Sequence, residues 1–168
     1  MPIDGQRVNP RVHARLVPQG PVLTLRLATQ ADCRYFLLMR NDPAMIWAAG
    51  GRAVSIAEHR RWWSETRGLR CVAMLGTEAI GLVRVNPEGE LAFQVAPGYQ
   101  GRGYGTALLR LVLPLAQRAG FHRLTARVRV ENVASRRTFA RAGWQMRKAD
   151  GTEWEARLEC RPLDGASR

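Results

Sequence analysis

Residues Val95 to Gly120 constrain the fold of this chain more than any other segment. An apolar run ending at Val95 passes through Ala96-Pro97-Gly98-Tyr99-Gln100 into a turn with glycine at 101, 103 and 105. An apolar-periodic stretch from Thr106 to Arg118 follows directly and is closed by Gly120. Backbone N–H groups at such a helix start, uncovered by side chains, form a cradle for a phosphate or pyrophosphate, and the helix dipole adds attraction. The same glycines also suit a tight strand-to-helix turn that binds nothing. Two phosphate-binding patterns are excluded. No Gly-Lys-Ser/Thr follows the turn, and the G-x-G-x-x-G spacing of a dinucleotide-binding turn is absent.

The flanking sequence sets this unit in a single α/β (α+β) domain. Val22 to Leu27 reads as a strand. Thr29 is a helix N-cap before an apolar face of Ala31, Tyr35, Phe36, Leu38 and Met39, which stops near Asn41-Asp42-Pro43. Ser55-Ile56-Ala57-Glu58 has the form of a capping box and opens a second helix through Trp62 and Trp63. Cys71–Leu75, Ala79–Val85 and Glu90–Val95 are short apolar runs separated by turn residues, an antiparallel meander. Beyond the central helix, in which Pro114 should cause a kink, come a strand at Leu124–Val130, a helix at Asn132–Ala142, and strands at Trp144–Lys148 and Trp154–Cys160. The expected order is β-α-α-β-β-β-α-β-α-β-β, a mixed sheet of about seven strands with about four helices over residues 22–161. Residues 1–21, with four prolines, read as an irregular N-terminal arm or leader, and 162–168 as a C-terminal tail.

Within 168 residues there are 26 basic and 14 acidic side chains, net +12, and every basic residue except Lys148 is arginine. Residues 98–148 hold ten arginines and Lys148 against Glu131 alone, which is +10 of that excess. Arginine suits bidentate contact with phosphate, so an anionic ligand is one reading and an arginine-rich solvated face the other. Cys33, Cys71 and Cys160 are far apart, odd in number and without a C-x-x-C pair. That pattern predicts buried reduced thiols, no disulfide framework and no metal site. No apolar run approaches the roughly 18 residues of a membrane span, and no secretion signal is apparent, so a cytoplasmic protein is expected.

Two motifs point to chemistry. Gln100-Gly101-Arg102-Gly103-Tyr104-Gly105 matches the Q/R-x-x-G-x-G/A signature of the GCN5-related N-acetyltransferase (GNAT) superfamily. Glu131-Asn132-x-x-Ser135-x-x-x-Phe139-x-x-x-Gly143-Trp144 resembles its downstream block. The resemblance implies acetyl-CoA as acetyl donor and no metal. The pyrophosphate would sit on the backbone amides of Gln100, Gly101, Arg102, Gly103, Tyr104, Gly105 and Thr106. The pantetheine would lie along Glu90–Val95, touching Gln94, Val95, Asn132 and Phe139. The sheet would be splayed between its fourth and fifth strands.

In this family an amine attacks the thioester directly, and a backbone N–H near Val95 would stabilise the oxyanion. Many members protonate the leaving thiolate with a tyrosine where this chain has Phe139. Ser135, one helical turn away, Tyr104 or water would then serve, with Ser135 preferred. Glu58, His59, Glu90 and Glu131 are the base candidates. Glu58 doubles as a capping-box residue and His59 as plain helix structure. Trp62 and Trp63 would divide between core and acceptor wall.

The amino half, Leu25-Arg26-x-Ala28-x-x-x-Asp32, Arg40-Asn41-Asp42-Pro43 and Ser55-x-x-Glu58-His59-x-x-Trp62-Trp63, looks like acetyltransferases of nucleotide-linked amino sugars, as in pseudaminic acid biosynthesis. It implies a small, phosphate-bearing amine acceptor. Acetylation of ribosomal-type protein N-termini and a non-catalytic acyl-CoA-binding module are the alternatives. A nucleic-acid-binding role has charge alone in its favour, and a homodimer is compatible with the sequence.

Overall fold

The computed structural model describes residues 12–14, 21–46 and 51–160. Five antiparallel strands lie in chain order in one sheet: β1 (Val12–Ala14), β2 (Leu23–Leu27), β3 (Leu69–Leu75), β4 (Glu78–Val85) and β5 (Leu91–Val95). A second antiparallel sheet has β8 (Glu153–Glu159) between β6 (Arg123–Arg129) and β7 (Gln145–Lys148). The helices are α1 (Cys33–Asn41), α2 (Ile56–Glu65), α3 (Tyr104–Arg118) and α4 (Val133–Arg141).

Strand alternation divides the first sheet into two apolar faces. Leu23, Leu25, Cys71, Val83 and Val85 are buried under the Leu108, Leu109, Leu111, Val112 and Leu115 stripe of α3. Val72 and Leu82 point the other way, against Phe36 and Met39 of α1 and Trp63 of α2. The capping box expected at α2 is formed: the Ser55 hydroxyl accepts from Glu58 N–H, and the Glu58 carboxylate accepts from Ser55 N–H. All three cysteines are buried free thiols, and burial pushes Cys71 up to about 12.

The two sheets meet at one point. Glu90 and Thr125 form an isolated parallel bridge, and Thr125 N–H donates to the Gly89 carbonyl at 2.9 Å. Gly89 has φ +85°, and a Cβ there would lie 2.7 Å from the Arg123 carbonyl oxygen, so only glycine lets the strands approach here. Beyond this pin β5 and β6 part. This is the expected splay between the fourth and fifth of the seven strands read from sequence.

Three details differ from the expectations. Val12–Ala14, inside the segment read as an irregular arm, pairs with Leu23–Leu25 and adds an eighth strand at the sheet edge. The rest of residues 1–20 and the tail at 162–168 lie outside the described residues. Helix α3 begins two residues early, because Gly103, at φ +84°, already turns the chain into it, and it runs as one element through Pro114. Trp144 precedes β7 instead of opening it, and is buried against Phe139 with ring centroids 4.9 Å apart.

Candidate active site

The parting of β5 and β6 opens a cleft of about 910 Å³. Its walls come from β5, the turn before α3, β6, α4 and, at the far end, α1 and α2. Among the described residues the amide N–H groups of Gly101 through Thr106 donate to no protein group, whereas that of Gln100 is used by the Pro97 carbonyl at 3.3 Å. The free donors therefore start one residue later than the motif suggested. Gly101 and Gly103 both have positive φ, and nothing lies within 4 Å of where a Cβ would sit on either. A Cβ on Gly105 would press on Thr138 and Phe93 at 3.1 and 3.2 Å, so that glycine serves close packing. The first turn of α3 contains no acidic side chain, which leaves the positive end of the helix dipole unopposed.

Strand β5 supplies the second feature. Ala96 N–H donates to the Ile80 carbonyl and Asn86 N–H to the Glu90 carbonyl. In antiparallel pairing every second residue bonds to the partner strand. The register pairing Leu82 with Gln94 and Val83 with Phe93 then turns the backbone groups of Phe93 and Val95 away from β4, into the cleft. The Val95 carbonyl is taken by the Gln100 side chain at 2.9 Å, which ties the turn to the strand and leaves Val95 N–H as the free donor. An unpaired strand edge of this kind accepts an extended amide-bearing molecule as an added strand.

The family profile described as Acetyltransferase (GNAT) domain matches residues 22–145. The chain belongs to the GNAT acetyltransferase family. It is similar to an L-methionine sulfoximine/L-methionine sulfone acetyltransferase of Salmonella typhimurium, 29% identical over 128 residues, covering 67% of this chain and 74% of the relative. Among solved structures, a domain from Methanocaldococcus jannaschii superposes with a TM-score of 0.73 at 19% identity, over 82% of this chain and 97% of that one. Spermidine N-acetyltransferase from Vibrio cholerae, solved with CoA and spermine, gives 0.70 at 19% identity, over 82% and 95%. These two likenesses show the shared fold. Family membership makes the chain an acetyl-CoA-dependent N-acetyltransferase of the GNAT type.

The GNAT domain brings most of the residues singled out from sequence to the cleft. Gln94, Val95, Gln100, Gly101, Gly103, Gly105, Thr106, Asn132, Ser135 and Phe139 line it, and so do Glu58, His59, Glu90 and Trp62. Arg102, Tyr104, Glu131 and Trp63 do not. The Tyr104 ring instead meets Tyr99 at 6.1 Å, packed against the core, and Trp63 is buried with its indole N–H on the Gln30 side chain at 2.8 Å. Asn132 caps α4 by accepting from Ser135 N–H at 3.0 Å. Phe139 is buried between Phe93 and Trp144.

The base candidates differ in electrostatics. The Glu58 carboxylate is held down to about 2, first by the Ser55 backbone N–H at 2.7 Å and then by the Arg52 guanidinium at 3.0 Å. Such a stabilised anion is a weak base. His59 is buried, and its Nε2–H donates to the Cys33 carbonyl at 3.0 Å. Burial pushes its pKa below the usual histidine value, with Arg70 and Arg40 acting the same way, so the ring is neutral at neutral pH. Glu90 stands 3.7 Å from Arg127 at the pinned end of the cleft.

Arg40, named from sequence only within its Arg-Asn-Asp-Pro motif, and Arg84, which the sequence reading passed over, both line the α1/α2 end of the cleft. The available signal was an arginine, Arg84, inside the apolar run Ala79–Val85.

Proposed function

We propose that this protein transfers the acetyl group of acetyl-CoA to the primary amine of a small molecule by direct attack, without a covalent enzyme intermediate. The observation that carries this reading is the continuity of the free amide donors at the α3 turn, four of them on the cleft-lining residues Gly101, Gly103, Gly105 and Thr106, with the free edge of β5 along one cleft. Those residues fit acetyl-CoA. The N–H groups of Gly101–Thr106 would hold its pyrophosphate, the Phe93 backbone would pair with its pantetheine amides, and the Asn132 side chain would contact the same arm. When bound, acetyl-CoA supplies an activated acyl group and a thiolate leaving group.

The chain's own groups then have three tasks. Val95 N–H donates to the carbonyl oxygen as it gains negative charge. Ser135, half-buried on the cleft wall one turn from Phe139, would donate a hydrogen bond to the departing thiolate, whose proton comes from water. His59, neutral with Nε2–H committed to Cys33, is a better acceptor for the amine proton than Glu58.

For the acceptor, the nucleotide-linked amino sugar rests on a resemblance whose residues the fold itself employs. Arg26 pairs with Asp32 at 2.7 and 2.8 Å, Asn41 holds the Val54 backbone at 2.7 and 2.9 Å, and Glu58 caps α2. Those residues say little about the acceptor, while Arg40, His59 and Trp62 of the same motifs line the cleft. The Salmonella relative is named for amino-acid analogues, and Arg40 and Arg84 at the α1/α2 end favour an acceptor with negative charge. Both the amino-sugar nucleotide and an amino acid meet that condition.

Thiol release from acetyl-CoA across amino acids, amino-sugar nucleotides, polyamines and a ribosomal-type N-terminal peptide tests the reading. Release with one small amine is the expected result. Acetyl-CoA binding without release to any amine would mean an acyl-CoA-binding module, and salt-sensitive RNA binding indifferent to CoA would mean a nucleic-acid-binding protein.

A further inference from the structure

Arg84 sits in β4, flanked by the buried Val83 and Val85. Alternation puts its side chain on the face that bears Leu82, under α1 and α2, directly opposite Arg70 across the β3–β4 ladder. The two guanidinium groups are treated very differently. Arg70 donates to the Trp63 and Thr66 carbonyls at 3.0 and 3.3 Å and lies 4.0 Å over the Trp63 ring. Arg84 has no hydrogen bond and no ion pair with any described residue, and its one close charge contact is the Trp62 ring at 5.7 Å. Burial pushes its pKa down, Arg40 acts in the same direction, and Glu90 is the counter-charge. Glu90 itself leans towards Arg127.

Like charges directly opposite on a ladder destabilise a sheet, and a partly buried charge that makes no ion pair, with only the Trp62 ring and the more distant Glu90 to offset it, is costly to keep. Such a residue makes sense when a ligand supplies the missing anion. Arg84 lines the cleft together with Trp62, His59 and Arg40, at the end away from the glycine turn. Arg40 gives one of its N–H donors to the Arg52 carbonyl at 2.9 Å, whereas Arg84 keeps its whole guanidinium fork free. The planar fork of Arg84 matches a carboxylate, and phosphate-bearing amines are the competing class that the test separates.

We propose that Arg84 is the specificity-determining residue of the acceptor end, taking the carboxylate of an amino-acid-like amine against the Trp62 ring. The inference rests on the acetyltransferase reading above and narrows its substrate class. It also predicts discrimination against polyamines, which would bring positive charge towards Arg40 and Arg84.

The test compares thiol release with free L-amino acids, the same amino acids as carboxamides, phosphate-bearing amines and spermidine, in wild type, Arg84→Met and Arg84→Lys. One charge-assisted bidentate contact corresponds to a preference of about 10- to 100-fold in kcat/KM for the free acid over its amide. Arg84→Met should abolish that preference through KM, and Arg84→Lys should keep only part of it. The melting temperature of Arg84→Met without ligand should equal or exceed that of wild type, since the repulsion from Arg70 is gone, and amino acids that stabilise wild type against heat should no longer stabilise the variant. Equal turnover of acids and amides with Arg84→Met unchanged would overturn the inference and leave the acetyltransferase reading standing. Preference for the phosphate-bearing amines would overturn the choice of carboxylate. Absence of release with every amine would overturn the acetyltransferase reading itself.

Discussion

Replacing Gly103 by alanine separates the cost of a strained backbone from the loss of a ligand cradle. Gly103 has φ +84° and Gly120 φ +89°, and at neither does anything lie within 4 Å of an added Cβ. Each substitution therefore costs the left-handed penalty alone, about 1–2 kcal/mol. For a domain of this size that lowers the melting temperature by about 2–8 °C. The two sites differ in place: Gly103 is the N-cap of α3 in the cleft wall, and Gly120 lies beyond the other end of the helix. If the pyrophosphate lies on the turn as proposed, a methyl group on Gly103 would occupy its space and displace one charge-assisted hydrogen bond, which corresponds to roughly 10- to 100-fold weaker acetyl-CoA binding. Calorimetric titration with acetyl-CoA, beside thermal melts of both variants, provides the assay. Similar melting losses with weakened binding in Gly103→Ala alone are expected. Equal binding losses in both variants, or none in Gly103→Ala, would refute the cradle.

Ser135→Ala should lower kcat about 100-fold with little change in KM, and Phe139→Tyr in that background should restore part of it; stopped-flow thiol release checks both. Asp32 is held down to about 2, mainly by its hydrogen bonds from Arg26, with Thr29 adding to them. Its contribution to stability is therefore complete above the ordinary carboxylate range and lost as pH falls towards 2. Thermal melts should show Asp32→Asn destabilised at pH 7, with the gap to wild type closing between about pH 4 and 2. His59 has a lowered pKa, so the unfolded chain binds its proton first, and stability falls as pH drops below about 6.5. Gln at position 59, which retains a side-chain donor for Cys33, should flatten melting temperature against pH from 7.5 to 5.5.

Elements with strong local signals were readable in the sequence. The Ser55/Glu58 capping box, the meander with its turn residues, and the α3 stripe each depend on near neighbours in the chain, and each appears within a residue or two of its expected place. The division of labour between Trp62 and Trp63 was also foreseeable as one wall residue and one core residue, though not which was which. That choice depends on the rotation of α2 over β3, which turns Trp63 onto Phe36, Gln30 and Arg70. The commitment of Glu58 to Arg52, and of Gln100 to the Val95 carbonyl, involves partners that only folding brings together. Likewise Arg84 looked like one polar residue on a strand, because its lack of a partner is a property of the assembled α1/α2 face. Gly89 was legible as a turn residue, but its approach to Arg123, which pins the two sheets before they part, was not.

The central claim is that acetyl-CoA lies in the gap between β5 and β6, with its phosphates on the α3 turn. Residue-resolved amide hydrogen exchange by NMR, with and without saturating acetyl-CoA, tests this most directly. The account predicts new protection at Phe93 and Val95 and at Gly101 through Thr106, with the amides of Ala92 and Gln94, already paired to β4, little changed. Protection confined to other surfaces, or none at Val95 and Gly103 while acetyl-CoA is demonstrably bound, would contradict it.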